Sequence, residues 1–192
     1  MKVLSIVIAL LIFNTLPAQE AKHETILTAP DDWRMEIINL PLSFAPSLDY
    51  TGFEDIRFAP GWSDTTAADY FTYTFTWVLD KNPKLDRDKL ETQMKAYFDG
   101  LMEAVSGRKD LPKTEVDFSF AGAKRDFGAT GTVKFYEAFF KKKVVSLNVN
   151  VAGKRCPELS KYLVRFDLSP QPSSAEVWKG FDQVKLKEDC GN

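Results

Sequence analysis

Histidine is almost absent from this 192-residue chain, which contains only His23. Catalytic arrangements of the Ser-His-Asp and Cys-His types need a positioned imidazole base. Zinc usually takes three or four ligands, most often His or Cys. One histidine near the amino end of the chain supplies neither arrangement. The composition therefore argues strongly against both classes of site, and we expect no metal and no cofactor.

Cysteine is nearly as scarce, since Cys156 and Cys190 are the only two. In an oxidising compartment they could form a disulfide, which would tie the tail after Trp178 back to the loop around Pro157. A loop of this size would gain about 3–4 kcal/mol in the chain-entropy model. The alternative is two free thiols. We predict the disulfide, and the lack of histidine speaks against a catalytic thiol.

Several motifs are missing. The sequence has no GxGxxG, no GxxxxGK[ST] and no D-x-[DN]-x-[DN]-G loop, so nucleotide chemistry and an EF-hand calcium site lack support. After residue 20 there is no apolar run of about 20 residues, so we expect no stable membrane anchor. The formal charge is −2, with acidic and basic residues mixed. This balance argues against nucleic acid or an anionic membrane as partner.

The first 19 residues have the pattern of a signal peptide. Lys2 is followed by the apolar run Val3–Phe13, and Leu16-Pro17-Ala18 offers a small residue at a cleavage point. An apolar run this short favours removal over permanent anchoring. No cysteine follows it that could carry a lipid. We therefore predict export from a bacterial cell, to the periplasm or the medium, as a soluble protein.

The remaining chain predicts one domain. We expect residues 20–30 to be disordered and residues 31–192 to form a single α+β domain. Apolar residues alternate from Phe71 to Leu79, which is typical of a strand with one face on the core. Further strands are predicted by similar patterns at Trp33–Leu40, Phe53–Phe58, Val116–Phe120, Val133–Phe139, Val145–Val151 and Tyr162–Leu168.

One long helix is predicted from Asp88 to Ser106. Its apolar residues recur at spacings of three and four, Asp88 with Glu91 fits a capping box, and Gly107 is a natural stop. A short helix is expected at Ser174–Phe181. Strands joined by short turns imply an antiparallel sheet. The predicted fold is a curved sheet of about six strands on one amphipathic helix, similar in architecture to cystatin-like or hotdog-like domains.

The segment Leu40–Tyr70 is the least regular and the most aromatic. It contains two Phe-Ala-Pro triplets, at residues 44–46 and 58–60, with the acids Asp49 and Asp64 nearby. The stretches LPLSFAP and GFEDIRFAPGW resemble segments of exported bacterial proteins of uncharacterised function. That resemblance implies export and carries no activity.

Candidate binding residues lie in the same segment. Glu54 or Asp55 could act as a general acid or base, Arg57 could bind an anion, and Trp62 could stack on a ring, with Asp64 nearby. Alternatively, Glu54, Asp55 and Arg57 form ion pairs on a surface turn, and Trp62 closes the edge of the core. The order of the residues favours this second interpretation, because neighbouring residues on a strand point to opposite faces.

Glu137 is a candidate because of its register. It falls on the same face of its strand as Val133, Phe135 and Phe139, so a regular strand would point it inward. A buried carboxylate acquires a partner or shifts its pKa, and so it can mark a site. A β-bulge that turns Glu137 to solvent is the alternative.

These features support three hypotheses on function. The first is an exported domain that binds a small ligand or an envelope protein without catalysis. The second is an acid/base enzyme that uses carboxylates, such as a hydrolase or isomerase acting on a small polar or glycosidic substrate. The third is a module for envelope assembly or adhesion, which would accept a partner strand at a sheet edge. The missing catalytic motifs favour the first.

Overall fold

A computed structural model describes residues 23–122, 126–188 and 190 of the chain. The predicted signal peptide, residues 1–19, lies outside the described residues. The helices and strands are, in chain order, β1 (Leu27–Thr28), β2 (Arg34–Leu40), β3 (Gly52–Phe58), β4 (Tyr73–Leu79), α1 (Arg87–Ser106), β5 (Glu115–Gly122), β6 (Phe127–Glu137), β7 (Lys143–Cys156), β8 (Lys161–Ser169), a 3-10 helix (Glu176–Gln183) and β9 (Lys185–Leu186).

The main sheet has seven strands in the order β2-β3-β4-β8-β7-β6-β5, and every neighbouring pair is antiparallel. The chain forms the β2–β4 meander, crosses through α1, and returns as the β5–β8 meander, which brings β8 beside β4. The α+β class, the antiparallel sheet and its single covering helix are confirmed. The seven strands β2–β8 correspond to the seven predicted strand segments, and β1 and β9 form a separate two-stranded sheet.

Helix α1 forms where the apolar stripe predicts it, with a different cap. Asp86, not Asp88, is the N-cap, and its side chain accepts from the Lys89 amide at 2.9 Å. Glu91 accepts instead from the amide of Phe118 on β5, at 3.0 Å. Gly107 ends the helix in the left-handed conformation, with φ of 69°.

The inner face of the sheet, which α1 covers, carries the larger core. Odd-numbered residues of β4 and even-numbered residues of β8 point here, so Phe75 and Phe166 stack with ring centroids 4.5 Å apart. The helix contributes Tyr97, whose ring lies parallel to that of Phe75 at 5.3 Å. Gly100 lets the loop after β2 approach closely, because a Cβ there would lie 1.9 Å from the carbonyl oxygen of Phe44.

The outer face of the sheet is covered over β3, β4 and β8. There the 3-10 helix, β9 and β1 lie on the sheet, and a second apolar cluster forms around Phe53, Val78 and Leu163. All seven residues of β4 are buried as a result. The sequence predicts one buried face for this strand, and the second face is buried because the two ends of the described chain fold back over it.

Both ends are held against the sheet. Of the segment 20–30 that the sequence predicts to be disordered, residues 20–22 lie outside the described residues, and residues 23–30 include the paired strand β1. The predicted disulfide is confirmed: Cys156 at the end of β7 is bonded to Cys190. Among the described helices, none is long and apolar enough to cross a membrane.

Candidate functional site

Glu54 lies on the inner face of β3, in the aromatic layer between the sheet and α1. It has no solvent exposure. The indole Nε1 of Trp77 donates to its Oε2 at 2.7 Å, and the hydroxyl of Tyr97 donates to its Oε1 at 2.9 Å. Strand β4 supplies the first donor and the helix supplies the second, so this carboxyl joins the two layers of the fold.

The pKa of Glu54 is raised to about 7, mainly by burial and to a smaller extent by the negative charge of Glu36. The hydrogen bonds from Trp77 and Tyr97 act in the opposite direction, because they stabilise the carboxylate. The same burial raises the pKa of Tyr97 well above its usual value. Glu54 can therefore gain or lose a proton near neutral pH, as a general acid must.

Asp55 and Arg57 point to the outer face, away from Glu54. They form a buried ion pair through Asp55 Oδ1, and Asp55 Oδ2 accepts from the amides of Ile26 at 2.9 Å and Leu27 at 3.2 Å. Arg57 donates to the Leu27 carbonyl at 3.0 Å and to the hydroxyl of Thr25. The pair holds β1 against the sheet, and none of these residues forms the surface turn that the sequence favours.

Glu137 points inward, as the alternation of β6 predicts, and it is fully buried. Its carboxylate accepts from the Tyr70 hydroxyl at 2.8 Å and from the amides of Phe140 at 2.8 Å and Lys141 at 2.6 Å. These three donors satisfy the charge. Glu137 thus stabilises the turn between β6 and β7 and anchors the Leu40–Tyr70 segment to it.

Trp62 lies in an aromatic cluster near this turn. Its ring is 4.6 Å from Phe58 and 5.0 Å from Phe140, and its Nε1 is buried without a hydrogen-bond partner in the described residues. Asp64 is exposed and accepts from the Thr66 amide and hydroxyl, which hold the pKa of Asp64 below its usual range. The six candidates therefore fall into separate places and do not line one site.

Three threonines at alternate positions, Thr72 just before β4 and Thr74 and Thr76 within it, lie on the outer face. The hydroxyls of Thr72 and Ser169 are hydrogen-bonded at 2.8 Å, whereas Thr74 Oγ1 and Thr76 Oγ1 are buried with no partner among the described residues. A buried hydroxyl without a partner costs about 1–3 kcal/mol. Such groups call for an explanation.

Thr76 lines a cleft of about 510 Å³ on this outer face. Leu163, Arg165 and Asp167 of β8 form the floor beside it. The opposite wall is the end of the chain, including Phe181, Val184, Leu186 and Cys190. This size falls within the range of about 300–1,000 Å³ that is typical of small-molecule sites.

Arg165 fixes the wall of this cleft. Its guanidinium donates to the carbonyls of Val184 at 2.6 Å and Phe181 at 2.8 Å, where the 3-10 helix ends. It also donates to Asp167 Oδ1 at 2.7 Å. With the Cys156–Cys190 disulfide, these bonds keep the cleft open in one shape, and a preformed site loses less entropy on binding.

One group of potential metal ligands occurs in the described part of the chain. The ligand atoms of Cys156, Glu158 and Cys190 lie within 4.8 Å of one another. Both sulfur atoms belong to the disulfide, so they are not available as thiolates. A cation at this place would require the disulfide to be reduced first.

The sequence indicated the cleft residues only indirectly. Thr74 and Thr76 occupy alternate positions of a strand whose other positions are aromatic, which normally indicates a solvent-facing side. Arg165-x-Asp167 on β8 lies across β4 from Asp55-x-Arg57 on β3, since Thr76 pairs with both Asp55 and Arg165. This correspondence needs the strand order β3-β4-β8, which the pattern alone does not contain.

Comparisons with protein-family models, with curated proteins and with solved structures find no match to this chain. The function therefore has to be inferred from the cleft, the buried carboxyls and the chemistry of their surroundings.

Proposed function

We propose that this protein is an exported domain that binds a small polar ligand in the outer-face cleft, without catalysis. The observation that carries the proposal is Thr76 Oγ1, a fully buried hydroxyl without a partner at the floor of a preformed cleft. Only 1% of Thr76 is exposed, so a ligand would reach this hydroxyl through a small shift of the cleft wall, and a hydrogen bond to it would remove its desolvation cost.

The cleft lining favours a ligand with both polar and apolar parts. Lys154 and Lys185 bring positive charge, Asp182 and Glu188 bring negative charge, and Leu163 is apolar. Because both signs are present, a zwitterion or a molecule with separate acidic and basic groups would fit better than a simple anion. We also propose that the ligand is met outside the cytoplasm, since the disulfide and the signal-peptide pattern both favour an exported protein.

Thr76→Val tests this proposal, because valine keeps the shape of threonine and lacks its hydroxyl. The protein would be purified from the compartment to which it is exported, and its mass would be measured under native conditions. We expect wild type to carry a bound small molecule and T76V to lose most of it.

Thr74→Val is the matched control. Thr74 is equally buried and equally without a partner, yet it does not line the cleft. Both substitutions should raise the free energy of unfolding by about 1 kcal/mol, since each removes an unsatisfied hydroxyl. Only T76V should reduce the bound mass. An unliganded wild-type mass, or equal retention in both variants, would contradict the proposal.

A second candidate function is acid/base catalysis by Glu54. Glu54 has a pKa of about 7 and contacts Trp77 and Tyr97. These properties favour a catalytic role, because a carboxyl that titrates near neutral pH is suited to proton transfer. Glu54 does not line the cleft, so a substrate would need a separate entry to the layer between sheet and helix. Hydrolysis of glycosides or esters that Glu54→Gln abolishes would favour this candidate over simple binding.

A further inference from the structure

We propose that the open half of the outer face, over β5, β6 and β7, binds a neutral carbohydrate, with Trp178 as the ring against which the sugar stacks. This groove is separate from the cleft and does not depend on it. It has a volume of about 410 Å³. The 3-10 helix lies between the two sites, since Trp178 borders the groove and Phe181 borders the cleft.

Two rows of short polar side chains cross the floor of the groove. The strand register places Thr130 opposite both Ser119 and Asn150, and it places Thr132 opposite both Asp117 and Asn148. Directly opposed residues lie about 4.5–5.5 Å apart at Cβ. The rows therefore present hydroxyl, amide and carboxylate groups at the spacing of neighbouring strands.

Most of these groups are free to bind a ligand. In the described part of the chain, the side chains of Ser119, Thr130, Thr132 and Asn150 make no hydrogen bond. A hydroxyl and an amide each offer both donors and acceptors. Sugar hydroxyls also donate and accept hydrogen bonds. The floor can therefore supply an acceptor for each sugar donor and a donor for each sugar acceptor.

Trp178 and Asn148 are held in place by one shared acceptor. The carbonyl oxygen of Gln171 accepts from Asn148 Nδ2 at 3.0 Å and from Trp178 Nε1 at 3.1 Å. The edge of the Trp178 ring is also fixed by Phe181, at a centroid distance of 5.2 Å. An indole held in this way can stack on an apolar sugar face with little loss of entropy.

The charge of the lining selects among polar ligands. Among the described lining residues, Asp117 alone is charged, and it pairs with Arg87 at 3.0 Å. No lysine or arginine is among the described residues that line the groove, and Arg87 at its edge is already paired with Asp117. A phosphate, sulfate or uronate would therefore find no unpaired cation among these residues. The lining therefore fits a neutral hexose or N-acetylhexosamine chain.

The test uses the full exported protein and a panel of neutral oligosaccharides of glucose, mannose, galactose, xylose and N-acetylglucosamine. Binding would be followed by titration calorimetry and by amide chemical shifts. Each sugar would be held at about 10 mM, which nearly fills even a site with a Kd of about 1 mM. We expect at least one sugar to bind and to shift the amides of β6 and β7.

Three variants locate the binding. Trp178→Ala and Asn150→Ala should each weaken it about tenfold, through lost stacking and lost hydrogen bonds. Asn39→Ala is the matched control at an exposed position on β2 outside the groove, and its affinity should stay within about twofold of wild type. Asn150 is exposed, so N150A keeps the test valid if W178A disturbs the 3-10 helix. Thr76→Val should leave sugar binding unchanged. This variant therefore distinguishes sugar binding in the groove from ligand binding in the cleft.

Two results would overturn the proposal. One is the absence of binding or shifts with every sugar in the panel. The other is binding that W178A and N150A weaken no more than N39A does.

Discussion

Glu54 combines properties that normally exclude each other in a protein interior. It has an ionisable group, no solvent exposure, and neighbours that are almost entirely aromatic. Two hydrogen-bond donors keep the charged form accessible, while burial favours the neutral form. The balance between these effects places its titration near pH 7, and the stability of the fold is coupled to it.

Glu54→Gln should remove a pH dependence of stability. Because the pKa of about 7 in the folded state lies above the ordinary glutamate value of 4.5, the folded state binds more protons than the unfolded state between these pH values. Glu54 contributes on the order of 3 kcal/mol to the free energy of unfolding. This contribution is complete below about pH 4.5 and is lost as the pH rises through 7. Urea unfolding at intervals from pH 5 to 8 measures it.

Glutamine mimics the protonated acid, so E54Q should lose less stability than wild type over this range. Glu115→Gln, at an exposed acid on β5, is the control and should follow the wild-type profile. Parallel profiles for wild type and E54Q would show that Glu54 does not titrate in this interval.

At the scale of elements, β1 is the clearest case of a structure made by its surroundings. It has two residues and pairs only with β9, which is equally short. Asp55 and Arg57 supply the rest of its stability through bonds to its backbone. A strand of this length is not stable alone, so it depends on the ion pair beneath it.

Asp55→Asn should release β1. It removes the acceptor charge for the Ile26 and Leu27 amides and leaves Arg57 buried without its counter-ion. The loss of unfolding free energy should be about 3–5 kcal/mol. Hydrogen exchange at Ile26 and Leu27 should accelerate strongly.

Asp80→Asn is the control for this prediction. Asp80 forms an ion pair with Lys161 near the surface, and its loss should cost no more than about 1 kcal/mol. Unchanged exchange at Ile26 and Leu27 in D55N would mean that the ion pair does not hold β1.

At the scale of the whole molecule, strand alternation and one helical stripe were sufficient to predict the fold class. Phe71–Leu79 has apolar residues at every odd position, and α1 has one apolar face, so both elements are specified locally. The sequence leaves open which face of β3 is buried, because the acid Glu54 shares one face with the apolar residues Ile56 and Phe58. Its buried charges have partners on β1, β4 and α1, and those contacts depend on tertiary packing.

The candidate site was less predictable for the same reason. Thr74 and Thr76 have the spacing of solvent-facing residues, and only the return of the chain end over β4 buries them. Glu137 was predictable because its register alone determines its direction. Residues that acquire a role through long-range contacts, such as Arg165, carry no signal in a single sequence.

The disulfide should contribute to the stability of the whole molecule. It closes a loop with a sequence separation of 34 residues, for which the chain-entropy model gives about 4 kcal/mol. The double substitution Cys156→Ser with Cys190→Ser should lower the free energy of unfolding by about 4 kcal/mol, which is measured as a lower urea midpoint. The helix content seen by circular dichroism should not change. Equal midpoints for the two proteins would contradict a stabilising role.

The same covalent bond determines how tension would pass through the molecule. If the chain were pulled from its two ends, the force entering at Cys190 would cross directly to Cys156 at the end of β7. Strand β8, the 3-10 helix and β9 all lie within the bypassed loop, so their backbone cannot be pulled out straight while the bond is intact. The pull would reach β8 only through its hydrogen bonds with β4 and β7.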